Sequence, residues 1–271
     1  MYRVAASLLK HAFLITFSAI VLIPIYWVLR TALAPSTAQV FPPQLFPDGI
    51  TLFEFTRAWY YSDYPRLFFN SALVTTVSIS VNLLFNAAAG YALTFRFSGR
   101  RPIMALLLIS MLVPYHVTII PAFLVTSGLG LANTYAGIVL PQLSHIVLIF
   151  MFKASFDAIP KSLIESARID GLRDWEILLR VLIPLSKPAV VTNIILSFIW
   201  TWNDFLWPLI VVSDREMFTL PLGLSSLVSL FEDTTGPLYA YTVLVLIPGV
   251  LIFLLCQREF VQGLVSGATK G

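Results

Sequence analysis

Six apolar runs limit what this chain can fold into more than any other feature: roughly 11–33, 68–95, 103–127, 134–155, 185–212 and 238–257. Each supplies about the 20 residues that a helix needs, at about 1.5 Å per residue, to cross a hydrocarbon core of about 30 Å. None alternates with period two over ten-residue units, so helices are expected rather than barrel strands. Hydrophobic residues make up 58% of the 271 and charged residues 11%, at a mean hydropathy of +0.86, which excludes a soluble globular domain of this size. The expected fold class is all-α: a polytopic membrane protein with six transmembrane helices and a single domain over 1–271.

The distribution of cations orients these spans. With six crossings, Arg3, Lys10, Arg96, Arg100, Arg101, Lys153, Lys161, Arg168, Arg173, Arg180, Lys187, Arg258 and Lys270 share one side, and only Arg30, Arg57, Arg66 and Arg215 lie on the other. Both termini and the connection at about 156–184 are therefore expected in the cytoplasm. The first run, from Ala12 to Leu29, is longer than the roughly 7–15 residues of a signal-peptide core, and Arg30 interrupts the approach to Ala32-Leu33-Ala34, so a retained span is expected. The one cysteine, Cys256, falls in the last run and reads as packing. Net charge of +3 reflects the basic loops, and no basic cluster interleaved with exposed aromatics points to nucleic acid.

Between the fourth and fifth runs lies a short amphipathic segment, Pro160 to Gly171. Pro160 suits a first helical turn, Asp157 or Lys161-Ser162 can serve its free N–H groups, and Gly171 stands where a helix stops. Leu163, Ile164 and Ala167 are expected on one face, with Glu165 and Arg168 on a polar flank. The segment reads either as a docking helix for another protein or as an ordinary loop helix between spans. Outside the membrane on the other side, 34–67 is expected to be extended through Pro35, Pro42, Pro43 and Pro47. A short interfacial helix should then carry Phe53, Phe55, Trp59, Tyr60 and Tyr61.

Polar residues inside the runs are few and patterned. Ser71, Thr75, Ser78, Asn82 and Asn86 recur at spacings of four, three, four and four, which puts them on one helical face. That face turns away from lipid, toward either neighbouring helices or a water-filled path. Pro114, Pro121 and Pro141 are expected to kink the third and fourth spans. Asp204 sits beside Asn203 among Trp200, Trp202 and Trp207, at a cost of about 2.5 to 3.5 kcal/mol if central in the bilayer. Aromatic faces with amide and carboxylate groups fit a carbohydrate path; a capped position near the outer interface fits equally. His116 and His145 read as helix-to-helix hydrogen bonders.

The segment Glu165-Ser166-Ala167-Arg168-Ile169-Asp170-Gly171, followed by Val181, Ile183 and Pro184, resembles the "EAA" loop of the permease subunits of bacterial ABC importers. It departs mildly, with Ser166 for the first alanine, Val181 for isoleucine and Ile183 for leucine. Trp202-Asn203-Asp204-Phe205-Leu206-Trp207-Pro208, Ala132-Asn133-Thr134-Tyr135-Ala136-Gly137, the stretch from Pro114 to Pro121 and the terminal Phe260-Val261-Gln262-Gly263-Leu264 and Gly267-Ala268-Thr269-Lys270-Gly271 resemble the carbohydrate-uptake branch, on the side of the maltose-type second permease.

The resemblance implies a multi-pass protein of the bacterial inner membrane that works by alternating access. Its implied partners are a second homologous permease, a pair of ATPase subunits, an extracytoplasmic solute-binding protein and a sugar substrate, all around the lipid bilayer. It also implies that Leu163, Ile164, Glu165, Ser166, Ala167, Asp170, Gly171 and Pro184 form the ATPase-coupling surface. Asn82, Asn86, Trp200, Asn203 and Asp204 are the substrate-path candidates. The loop from Ser213 to Pro237, with Asp214, Glu216, Gly223, Glu232, Asp233 and Gly236, is expected to reach the binding protein. The chain has no G-x-x-x-x-G-K-[ST] phosphate loop and no H-E-x-x-H, Cys-x-x-Cys or G-x-S-x-G motif. Catalytic residues, metal and cofactors are therefore expected to be absent here, with ATP and Mg in the partner ATPase. A rival class, the ion-coupled secondary transporter, would need more intramembrane ionisable groups than Asp204, His116 and His145.

Overall fold

The computed structural model describes residues 2–35, 44–47, 49–231 and 234–268. Pro42, Pro43, Glu232, Asp233 and the terminal Thr269, Lys270 and Gly271 lie outside the described residues, as do the side chains of Arg3, Cys256, Arg258 and the run Phe260–Leu264. Among the described residues every regular element is helical, because a helix pairs its own backbone groups where no water can do so. In order they are α1 (Tyr2–Leu33), α2 (Phe53–Tyr61), α3 (Tyr64–Ala92), α4 (Arg100–Ser110), α5 (Tyr115–Gly128), α6 (Tyr135–Val139), α7 (Ile146–Asp157), α8 (Lys161–Ile169), α9 (Asp174–Ile177), α10 (Ile183–Leu185), α11 (Lys187–Trp202), α12 (Leu206–Val211), α13 (Leu220–Leu230) and α14 (Gly236–Ala268).

Three helices are long and apolar enough to span a membrane unaided: Ser7–Leu33, Tyr64–Ala92 and Gly236–Leu255. The third and fourth expected spans are bent pairs, α4 with α5 at 106° and the 135–142 segment with α7 at 53°; a further bent pair, at 89°, joins α11 to the 174–185 segment, which falls almost wholly in the expected connection at about 156–184 rather than in the expected fifth span. Six crossings thus require each pair to act as one. The third run breaks before Pro114, whose extended backbone (ψ 134°) starts α5, whereas Pro121 stays inside α5 without interrupting it. Pro141 sits in a 3-10 turn, Leu140–Gln142, that ends the first half of the fourth span. The fifth run departs most from an unbroken helix over 185–212: α11 stops at Trp202 and the chain resumes as α12 only at Leu206.

The packing divides into two units, 1–66 with 223–248 and 67–222 with 249–271. In the first, α1 keeps its apolar side chains exposed along nearly its whole length, as a helix bathed in hydrocarbon should. The short helix expected over Phe53 to Tyr61 forms as α2, Phe53–Tyr61, with Tyr60 and Tyr61 exposed and Glu54 and Ala58 fully buried. Glu54 pairs with Arg57 at 3.2 Å, and the Arg57 guanidinium lies over the Phe231 ring at 4.8 Å. Gly236 begins α14 against this carboxylate: a Cβ there would lie 2.8 Å from Glu54 Cδ, so a larger residue would have to displace the Glu54 side chain. Tyr64 closes the layer, bonding the Leu244 carbonyl at 3.1 Å and meeting Tyr241 edge-on.

The second unit has two apolar centres. Ala87, Tyr91, Phe152, Phe156, Ala167, Ile177, Leu178, Leu182 and Ala189 form one, joining α3, α7, α8 and α11. Val74, Ile119, Ile138, Val139, Trp207, Val211, Val212 and Leu222 form the other. At Gly90 the backbones of α3 and α7 come so close that a Cβ would lie 2.8 Å from Phe152 Cβ and 3.0 Å from the Ile149 carbonyl oxygen. Small residues at such crossings maximise dispersion contact where no hydrophobic drive separates helix from lipid.

Candidate functional site: the loop helix and the broken spans

The helix α8 is built from its ends. Pro160 is its N-cap with extended geometry and no side-chain cap, its ring having no acceptor to offer; the Asp157 carboxylate pairs with Lys153 one turn back instead. The expected capping by Asp157 or Lys161-Ser162 is therefore corrected. At the far end the Leu172 N–H donates to the Ala167 carbonyl and the Gly171 N–H to the Arg168 carbonyl, each at 3.0 Å, with Gly171 at φ +85°. These are the two bonds of a Schellman stop, and Leu172 and Ala167 pack in the same apolar centre, as that stop favours.

The faces of α8 differ from the expected single stripe. Ile164 and Ala167 turn inward onto Tyr91, Phe156 and Ile177, whereas Leu163 is 46% exposed. Glu165, Ser166, Asp170, Gly171 and Pro184 are exposed with it. Ile169, which the periodicity did not single out, is 86% exposed and is the most exposed apolar side chain here. The signal available was its position: a β-branched apolar residue directly before Asp170-Gly171. Arg168 reaches past Glu165 to Asp174 at 2.8 Å and lies over the Phe95 ring at 5.3 Å. Tyr91 bonds the same carboxylate oxygen at 3.3 Å, so α8, α9 and the end of α3 are tied together. Downstream, residues 178–182 form a π-helical turn. The Pro184 ring would collide with the carbonyl four residues back, at Arg180, and the wider turn removes that conflict.

The polar face of α3 is buried throughout: Ser71, Thr75, Ser78, Asn82 and Asn86 are at most 4% exposed. Asn86 donates to Asn193 on α11 at 3.2 Å and accepts from the His145 backbone N–H at 3.2 Å, which holds the start of α7. Ser71 accepts from the Leu220 N–H at 2.7 Å. Both nitrogen and oxygen of the Asn82 amide lack a hydrogen-bond partner.

Asp204 lies in the gap between α11 and α12. It accepts from Gln142 Nε2 at 2.5 Å and from the Trp207 backbone N–H at 3.3 Å, linking the break in the fifth span to the bend in the fourth. Asn203 is exposed and its amide N–H group donates to Ile199. Trp200 is 38% exposed and lies against the His145 ring at 4.3 Å. Trp207, by contrast, is 1% exposed and donates its indole N–H to the Gly137 carbonyl at 3.0 Å.

That last bond explains the Ala132 to Gly137 motif. Asn133, at φ +57°, accepts from the Ser213 and Asp214 N–H groups at 3.1 and 2.9 Å and so ends α12. Thr134 caps α6 through the Gly137 N–H at 3.0 Å. A Cβ on Gly137 would lie 2.0 Å from the Leu131 carbonyl oxygen. Tyr135 donates to Asn70, which in turn donates to the Glu216 and Phe218 carbonyls at 2.8 and 2.9 Å. The two motifs are halves of one clasp.

Residues 83–258 match the family model described as "Binding-protein-dependent transport system inner membrane component". The chain is 37% identical to the arabinooligosaccharides transport system permease protein of Bacillus subtilis (strain 168), over 100% of this chain and 96% of that one. It is 32% identical to the lactose transport system permease protein of Rhizobium radiobacter (80% and 81% covered). It is 31% identical to the sn-glycerol-3-phosphate transport system permease protein of Brucella suis biovar 1 (97% and 98%). Its fold is similar to a chain of a bacterial ABC transporter involved in the import of the acidic polysaccharide alginate, at a TM-score of 0.84 and 24% identity over 94% and 96% of the two chains. With its bent spans and capped loop helix, and with this match over most of its length, the chain belongs to the family of inner membrane components of binding-protein-dependent transport systems.

Proposed function

We propose that this chain is the membrane-spanning permease subunit of an ATP-driven importer for a sugar or sugar-like solute, working by alternating access as one transmembrane domain. The observation that carries the coupling half of this reading is α8. Its inner face is anchored by Ile164 and Ala167, its end is fixed by Gly171, and it displays Leu163, Glu165, Ser166, Ile169 and Asp170 outward. A knob packed in this way is suited to transmit force, because α8 shares its apolar centre with α3, α7 and α9 and is tied to α9 by the Arg168 to Asp174 pair. In this reading a pair of ATPase subunits grips α8 from the cytoplasm, a homologous permease completes the pathway, and an extracytoplasmic binding protein delivers solute. ATP and Mg act in the ATPase. Closure of the ATPase pair must favour one arrangement of the spans by differential contact, since equal affinity for both arrangements shifts nothing. The kinds of solute named for the relatives support a saccharide or a polyol phosphate.

Co-purification of the chain from its native membrane tests this. The expected result is a complex with an ATPase, whose activity in lipid discs rises when a solute-loaded binding protein is added. Ion-gradient-driven uptake by the chain alone would overturn it in favour of a secondary transporter.

A further inference from the structure

Two buried helices of the second unit, α3 and α11, pack antiparallel. Asn86 donates to Asn193 at 3.2 Å, and farther along Phe68 meets Trp202 edge-on at 6.1 Å, so falling numbers on α3 run beside rising numbers on α11. From the Asn86 to Asn193 bond toward that aromatic pair, both helices carry a polar side chain at every turn: Asn82, Ser78 and Thr75 on α3, Ser197 and Thr201 on α11. We propose that this seam has two registers one helical turn apart, that Asn193 exchanges Asn86 for Asn82 between them, and that the slide of α11 along α3 is a moving part of alternating access, which deepens the importer reading and rests on it.

The spacing makes the registers equivalent. Advancing α11 by four residues, about 6 Å of helical rise, sets Asn193 beside Asn82, Ser197 beside Ser78 and Thr201 beside Thr75, so no polar group comes to face an apolar one. Burial makes the exchange matter. Asn82, Asn86, Asn193 and Ser197 are all 0% exposed, yet only the Asn86 amide is bonded at both ends, to Asn193 and to the His145 backbone N–H. Among the described residues, both polar atoms of Asn82, the Asn193 amide nitrogen and Ser197 Oγ have no partner. An unbonded buried amide is costly. Asn82 is thus a second seat for Asn193, and each register pairs one α3 amide with α11 while stranding the other.

The ends of α11 allow it to move as a rod. It starts at Ser186, which has the non-helical geometry φ −100° and ψ 31°, where the 174–185 segment meets it at 89°, and it stops at the break over 203–205. The other helix is held: Gly90 brings α3 against α7 too closely for a Cβ, and the His145 N–H stays on Asn86. Asp174 ties the 174–185 segment to Arg168 on α8. Because that segment meets α11 at a right angle, a sideways push on it becomes a stroke along α11, the direction in which the seam repeats.

The test oxidises cysteine pairs in the assembled complex with iodine, in a Cys256→Ser background. Asn86→Cys with Asn193→Cys reports the observed register, and Asn82→Cys with Asn193→Cys reports the shifted one. Each pair is compared in the nucleotide-free complex and in the complex arrested with ATP, vanadate and loaded binding protein. The pairs are expected to prefer opposite states, each at least fivefold in cross-linking rate. A shared preference, no preference, or silence of the Asn82 pair in both states would overturn the exchange. Asn82→Leu keeps the other asparagines and supplies a second readout. In the state where the Asn86 pair cross-links faster it is expected to melt no lower than the parent, while stimulated ATPase activity falls at least fivefold. Full stimulation, or a lower melting temperature there, would overturn the second seat. If loaded binding protein does not stimulate the parent complex at all, the importer reading fails first and the slide falls with it.

Discussion

Gly171 is the residue on which the loop helix depends. Its φ of +85° lies where an L side chain is strained, and nothing else stands within 4 Å of a Cβ placed there. Any effect of substitution is therefore a backbone effect, about 1–2 kcal/mol for a residue with a side chain and more for a β-branched one. Gly171→Val is expected to unwind the end of α8, displace Ile169 and Asp170, and sharply lower the stimulation of ATPase activity by loaded binding protein. Gly171→Asn, which tolerates this conformation, should retain most of it. Full stimulation in the valine variant would show that the stop is not needed for coupling. Gly171 was legible in the sequence because a stop has a local chemical signature. Leu163 was not: a nine-residue helix fixes which residues share a stripe, but the side on which the core lies is set by Tyr91, Phe156 and Ile177, all outside the helix itself.

At the scale of elements, the spans were legible as apolar runs but their breaks were not. Pro114 and Pro141 announced two of them through a missing N–H group. The third, at 203–205, was marked only by Asn203-Asp204, and hydropathy carries no trace of it because Phe205, Leu206 and Trp207 continue the run. The sequence fits Asp204 equally as a path group and as a cap near the outer interface. The structure has it bonding Gln142 and the Trp207 N–H, so it holds the break open whatever else it touches. Asp204→Leu removes both acceptors and leaves a backbone and an amide donor short of partners, at about 1–3 kcal/mol each. The purified complex is then expected to melt several degrees lower. Asp204→Asn can still accept from Trp207 and pair with a flipped Gln142, and should melt near the parent. Equal melting of the leucine variant and the parent would mean that the Asn133 clasp alone fixes α12.

For the whole molecule the open quantity is sidedness, and it is set by arithmetic. Four cations, Arg30, Arg57, Arg66 and Arg215, fall on one side of six crossings, and the other 13 of the 17 on the opposite side. Each bent pair must count as one crossing for this to hold. If the α4 and α5 pair, at 106°, entered and left by the same face, every later segment would change sides and the split of 13 to four would become six to 11, against the N-terminal side. Ile169 reports on this directly, being 86% exposed on a loop that only an even count places in the cytoplasm with the N-terminus. In a Cys256→Ser background, Ile169→Cys is expected to react with an impermeant thiol reagent in inverted vesicles and not in right-side-out ones. Added ATPase subunits should slow the reaction severalfold if α8 is what they grip. Labelling in right-side-out vesicles would reverse the topology and remove α8 from reach of any cytoplasmic motor, because a helix on the outer face cannot be driven by ATP that never leaves the cell.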